Sequence, residues 1–174
     1  TEGWVEAPEG KYYLKSDGSF ATGPVEIEGQ WYGFTAEGLK VESGWLYWDG
    51  YYHWAKAEAN GELARDEACH LGTETKFTVF DEDCHQVTAG WHTTSDGKTY
   101  YQDSSTGYRA ATGKKTIGGK TYLFGSDGAQ QKTEGWVEAP EGKYYLKSDG
   151  SFATGPVEIE GQWYGFTAEG LKVE

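Results

Sequence analysis

The sequence predicts an all-β chain, a row of short hairpins stacked one on the next. Three observations carry this. The stretch from Thr1 to Glu42 recurs letter for letter from Thr133 to Glu174, an offset of 132 residues, so the chain is a repeat array before it is anything else. Its 174 residues include 26 Gly, 13 Tyr and 8 Trp, no Met, and a hydrophobic fraction of only 37%. Aromatics and glycines without long aliphatic runs mean many short strands and tight turns, with a thin core strung along the array. Finally, pairs such as Asp49-Gly50 and Gly118-Gly119 punctuate short apolar runs. Such pairs mark hairpins because two-residue primed turns need positive φ.

Along the chain, each unit has an opening glycine, a strand, a tight turn, a second strand and a polar second turn. The whole of 1–174 reads as one array with units starting near 3, 23, 44, 69, 90, 113, 135 and 155. The expected tight turns are Glu28-Gly29 in unit two, Asp49-Gly50 in unit three, Asp96-Gly97 in unit five and Gly118-Gly119 in unit six. Unit three, WLYWDGYYHW, is nearly palindromic, and a two-residue loop pairs Trp48 with Tyr51, Tyr47 with Tyr52, Leu46 with His53 and Trp45 with Trp54. Unit four is diverged. Its Thr75–Gly90 stretch parallels Gly10–Gly23, which sets Cys84 in the slot of Gly18. The polar stretch from Ala55 to Ala68 contains helix formers but is broken by Asn60-Gly61, and reads as a longer second turn.

Strand alternation sorts the faces. In unit two, Val25, Ile27, Tyr32 and Phe34 share one face, opposite Glu26 and Trp31. In unit one, Val5, Tyr12 and Leu14 share one face, and Trp4, Glu6, Lys11 and Tyr13 the other. The first face reads as core and the second, mixing rings with charge, as partly wet. In unit three the second face holds Trp45, Tyr47, Tyr52 and Trp54. A lone hairpin is marginal in water, so each must stack on its neighbours.

The net charge of −13 excludes several partners. Each 42-residue copy holds eight acids and three bases. Such a surface repels nucleic acid, anionic lipid and anionic wall polymers but tolerates neutral glycans and attracts cations. No apolar run approaches the roughly 18 residues of a membrane span. The two cysteines, Cys69 and Cys84, read as a disulfide worth about 3 kcal/mol in the chain-entropy model. Free thiols are one alternative. A metal site with His70 and His85 is the other, although neighbours in an extended chain point to opposite faces.

The pattern Gly-Trp, Gly-Lys-Tyr-Tyr, Ser-Asp-Gly, Thr-Gly resembles the cell-wall-binding repeats of Gram-positive bacteria. That family includes choline-binding modules, glucan-binding repeats of glucosyltransferases and receptor-binding repeats of clostridial toxins. The resemblance covers nearly the whole chain. It implies a β-solenoid of stacked hairpins on a secreted or surface-attached protein. In the choline-binding branch it implies an aromatic cage between successive hairpins, built from an opening Trp, a second Trp that begins the second strand, and a Tyr nearby. Here the opening slot holds Trp4, Trp45, Trp91 and Trp136, whereas Pro24 and Lys114 depart from it. The second slot holds Trp31 and Trp163. The Gly-Lys-Tyr-Tyr and Gly-Lys-Thr-Tyr forms lean toward the glucan-binding and toxin branches.

Exposed rings suit two ligand types, sugars that stack on them and quaternary ammonium ions held by cation–π attraction. Padding of a thin core is the alternative for most tyrosines. The expected site is the junction of units two and three, with Trp31, Trp45, Tyr52, Tyr47 and Trp54 as ring surface and Glu26 opposite Trp31. No catalytic constellation is expected. The carboxylates are spread along the array, the four histidines lack zinc spacing, and Asp81-Glu82-Asp83 fits a solvated turn. No cofactor and no metal are expected. Two functions follow. One is a binding module that attaches a larger protein to a cell-wall or extracellular glycan, or to a choline-decorated polymer. The other is a structural stalk of a surface adhesin.

Overall fold

A computed structural model describes residues 1–72, 77–106 and 108–174. The described residues form eight antiparallel two-strand hairpins stacked as a solenoid, and they contain no α-helix. In order the hairpins are Gly3–Ala7 with Gly10–Leu14, Gly23–Ile27 with Gln30–Phe34, Gly44–Trp48 with Tyr51–Lys56, Glu67–His70 with Phe77–Phe80, Gly90–Thr93 with Thr99–Asp103, Gly113–Ile117 with Lys120–Phe124, Gly135–Ala139 with Gly142–Leu146, and Gly155–Ile159 with Gln162–Phe166. Thr75 and Lys76, part of the parallel drawn for unit four, lie outside the described residues.

One backbone bond recurs in every repeat. After the second turn the chain returns beside its own second strand, as in Ala21 N–H to Tyr13 C=O, Val41 to Gly33, Ala64 to Trp54 and Val87 to Val79. The same bond joins Ala111 to Tyr101, Gln131 to Leu123, Ala153 to Tyr145 and Val173 to Gly165. A second bond ties a hairpin to the one before it: Lys40 N–H to Lys11 C=O, Gln86 to Tyr52, Gln130 to Thr99, Phe152 to Thr121 and Lys172 to Lys143. The backbone donors of these irregular returns are thereby satisfied, which a buried turn requires.

The unit-three register is as read: Trp48 faces Tyr51, Tyr47 faces Tyr52, Leu46 faces His53 and Trp45 faces Trp54. Its turn has φ of 51° at Asp49 and 87° at Gly50, the two positive values a primed turn needs. Glu28-Gly29 and Gly118-Gly119 are built the same way. Asp96-Gly97 is not. Thr93 pairs with Thr99, so residues 94–98 lie in the connection. Gly97 N–H bonds back to Thr94 C=O, and Thr94 N–H to Lys98 C=O, the same pair of bonds that Lys15, Gly18 and Ser19 make in the second turn of unit one. Thr94-Ser95-Asp96-Gly97 is thus a second-turn element that here closes the hairpin itself.

The Ala55–Ala68 stretch is a turn with structure of its own. A 3-10 turn spans Ala57–Ala59, then the short strand Glu62–Leu63 inserts between the second strands of hairpins two and three. The insertion fuses these two hairpins into a single five-stranded sheet.

The identical copies share their backbone. The φ values are 149° and 148° at Gly3 and Gly135, 89° and 86° at Gly18 and Gly150, and 52° and 51° at Glu28 and Glu160. Their surroundings differ as an array demands. Phe152 is buried beneath hairpin six, but Phe20, with no hairpin before it among the described residues, is exposed. Small clusters make up the core, among them Ala21, Ile27 and Phe34 with Tyr13, Val25 and Tyr32 packed on them.

The cysteines correct an expectation. Cys69 and Cys84 are free thiols, both buried. Cys84 does occupy the Gly18 slot: its φ is 65°, and its N–H bonds Asp81 C=O as Gly18 bonds Lys15. That slot fixes the backbone but not where the sulfur goes. Cys84 packs with Ala55 and Leu63, whereas Cys69 packs with Ala64, Leu71 and Phe80. The two thiols thus fill separate gaps as small apolar groups.

Candidate aromatic binding clefts

The opening tryptophans build one arrangement three times and a variant of it once. Trp4 stands across from Tyr13 in the first hairpin, edge-on at 5.2 Å. It then reaches the second hairpin, meeting Tyr32 edge-on at 5.4 Å and Phe34 at 5.9 Å. Trp91 repeats this with Tyr101, Tyr122 and Phe124 at 5.3, 5.0 and 5.8 Å. Trp136 repeats it with Tyr145, Tyr164 and Phe166 at 5.2, 5.2 and 6.0 Å. Trp45 makes a variant. Trp54 lies 5.0 Å away and Phe80 6.2 Å away, but the tyrosine position holds buried Thr78, and Tyr52 at 5.8 Å supplies the extra ring.

The mixed face of each odd hairpin thus meets the core face of the even hairpin that follows. Edge-to-face contacts hold each indole without covering it. Trp4, Trp45, Trp91 and Trp136 are 41%, 41%, 43% and 40% exposed, so each offers a fixed, half-open ring. Polar groups surround these rings. The first cleft, about 350 Å³, is lined by Trp4, Glu6, Lys11, Tyr32, Lys40 and Asn60. Trp136, Lys143, Tyr164 and Lys172 line its copy. Trp45 and Tyr52 share theirs with Gln86 and Arg109. Burial pushes the Tyr32 hydroxyl above the usual phenol range, aided by Glu62 and Glu28, so it remains a hydrogen-bond donor.

Four of the sequence-designated residues come together. Trp45, Trp54 and Tyr52 are in ring contact, and Tyr47 lies 4.7 Å from Tyr52. Trp31 and Glu26 face each other across hairpin two, but Trp31 packs on the Ala55, Leu63 and Cys84 cluster. No ring contact joins it to Trp45 among the described residues. The residues missed were Tyr32, Tyr122 and Tyr164, and the slot after the second turn that bridges back to the phenylalanine: Lys40, Gln86, Gln130 and Lys172. The alternation of Gly-Trp with Gly-Pro or Gly-Lys along the chain was the available signal that hairpins work in pairs.

The carboxyls of Glu9, Asp17, Asp96, Asp103, Glu141 and Asp149 all titrate below the usual range, held down first by side-chain hydrogen bonds. A general acid needs the opposite displacement. Asp81, Asp83 and His85 converge within 4.8 Å, but Asp81 is engaged by the backbone N–H groups of Asp83 and His85, as in an ordinary turn.

Comparison with known proteins agrees with this geometry. Residues 2–20, 115–129 and 134–152 match the cell wall binding repeat family. These three stretches carry the repeat of that family. It is 30% identical over 162 residues to glucosyltransferase-S of Streptococcus mutans, an alignment covering 78% of this chain and 11% of that protein. It is also 30% identical over 161 residues to glucosyltransferase-I of Streptococcus downei, covering 87% of this chain and 9% of that protein. The chain therefore spans about a tenth of the curated relatives it matches. Among solved structures, CbpJ of Streptococcus pneumoniae superposes with a TM-score of 0.70 at 21% identity, over 99% of this chain and 65% of that one. The choline-binding domain of CbpL from the same species gives 0.67 at 24% identity, over 99% and 87%. These likenesses establish the stacked-hairpin fold of the repeat family.

Proposed function

We propose that this chain is a non-catalytic, extracellular binding module that attaches a larger secreted or surface protein to a neutral glycan of glucan type, through the aromatic clefts. The observation that carries this reading is the set of four opening tryptophans, each wedged by neighbouring rings yet about two-fifths exposed. A flat ring held rigidly beside hydrogen-bonding side chains suits a sugar, which has apolar CH faces and a polar edge. The net charge of −13 disfavours anionic polymers and leaves neutral ones unaffected. The glucosyltransferase relatives lend support to a glucan. Stacking at about 1 kcal/mol per ring gives weak single sites, which repetition makes useful.

Retention on insoluble α-glucan, beside a choline-derivatised resin, tests this. The module is expected to stay on the glucan and to be released by soluble glucan. Passage through both resins would instead favour the stalk, in which the repeats only set distance.

A further inference from the structure

The first cleft already contains a cation. The Lys40 side chain is 4% exposed, although it is a lysine in an otherwise wet part of the molecule. Its Nζ sits 5.4 Å from the centre of the Trp4 ring and 5.2 Å from that of Tyr32, whose planes are 89° apart. It donates to the Asn60 carbonyl oxygen at 2.5 Å and to Glu42 Oε2 at 3.2 Å. An ammonium is removed from water only where its charge and its protons are satisfied. Two perpendicular ring faces within about 6 Å, one carbonyl and one carboxylate do that here.

The arrangement depends on the insertion in hairpin three. Asn60 takes a left-handed φ of 56° at the end of the 3-10 turn, and Gly61 passes so close to Val41 that a Cβ would lie 2.8 Å from its carbonyl oxygen. That contact sets the Asn60 carbonyl over the cleft. The copy at the other end of the chain has the lysine without the insertion. There Lys172 Nζ lies 5.7 Å from the Tyr164 ring and 3.3 Å from Glu174, with its side chain 21% exposed. Beside Trp91 and Trp45 the same bridging slot holds neutral Gln130 and Gln86.

We infer that Lys40 and Lys172 are resident cations that reserve their clefts against external quaternary ammonium ions, and so restrict these two clefts to uncharged ligands. Like charge and lost room act together: a ligand ammonium would have to displace the lysine or share the rings with it. The inference rests on the clefts being the binding sites. Its test is read on the clefts' own indoles, so failure of glucan retention leaves it standing or falling separately.

The test titrates the whole chain with choline and with its uncharged isostere 3,3-dimethyl-1-butanol, following the indole N–H resonances of Trp4 and Trp136. In the unaltered protein choline should move neither indole more than the isostere does. Lys172→Gln and Lys40→Gln should each make the adjacent indole respond to choline at concentrations at least about tenfold lower than to the isostere. Lys40→Arg, which keeps the charge, should behave like the unaltered chain. Lys172 lies near the chain end with fewer partners, so Lys172→Gln decides the matter if Lys40→Gln loses its native spectrum. A choline response at Trp4 and Trp136 in the unaltered protein would overturn the inference. So would glutamine variants with native spectra that gain no preference for choline.

Discussion

Trp31 and Trp163 occupy the same position in two hairpins of identical sequence, yet Trp31 packs on Ala55, Leu63 and Cys84 while Trp163 is 69% exposed. The difference is the hairpin that follows: the second hairpin has a third, and the eighth ends the described array. Trp31→Ala should therefore cost about 2 kcal/mol, roughly half a fully buried aromatic truncation, and Trp163→Ala less than about 0.5 kcal/mol. Urea unfolding of the two variants measures this, and equal midpoints would contradict it.

The same pairing isolates a steric contact. Gly23 and Gly155 both have φ of 70°, so alanine strains either. A Cβ at Gly23 would also lie 2.5 Å from the Trp48 ring, whereas at Gly155 it meets open space. Gly23→Ala should be less stable than Gly155→Ala by about 1–3 kcal/mol, as measured by the shift in thermal midpoint.

His53 gives the protein a pH dependence. It is 1% exposed, and its Nδ1 has no partner among the described residues. Burial first, and His85 second, push its imidazole below the ordinary range, only partly offset by the Cys84 backbone and Asp81. The folded chain therefore favours the neutral ring, and the unfolded chain binds more protons once the pH falls below about 6.5. Stability present above that value is lost on acidification through the window beneath it. Urea midpoints at pH values on either side should show the loss, and His53→Leu should flatten the slope.

Both thiols are buried, and burial pushes each up to about 12. Thiolate is the reactive form, so neither should react with a disulfide reagent in the native protein. Denaturation without reductant should release two reactive thiols. Finding none would restore the Cys69–Cys84 bond.

The sequence was most readable where the backbone itself demands a residue type. Glu28-Gly29 and Asp49-Gly50 need two positive φ values, and each fixes the register of the rings beside it. Asp96-Gly97 misled because the same dipeptide also closes the second turn, and nothing local says which turn is meant. Cys84 was placed correctly in a glycine slot, but a slot does not aim a sulfur. The clefts were only half visible. Alternation places Trp4 on a mixed face, but which neighbouring face it meets depends on how one hairpin rotates onto the next. At the next step of the array, hairpin three approaches hairpin two at glycines, Trp48 against Gly23 and Leu46 against Gly33.

The central claim is that the opening tryptophans are the sugar platforms, and the indole N–H spectrum of the isotope-labelled chain tests it most directly. The eight tryptophans give eight probes, read together as soluble α-glucan is added. Trp4, Trp45, Trp91 and Trp136 should shift, saturating together with added glucan, while Trp48 and Trp163 stay fixed. A spectrum that does not change, or one in which Trp163 moves and the four opening indoles do not, would contradict the account.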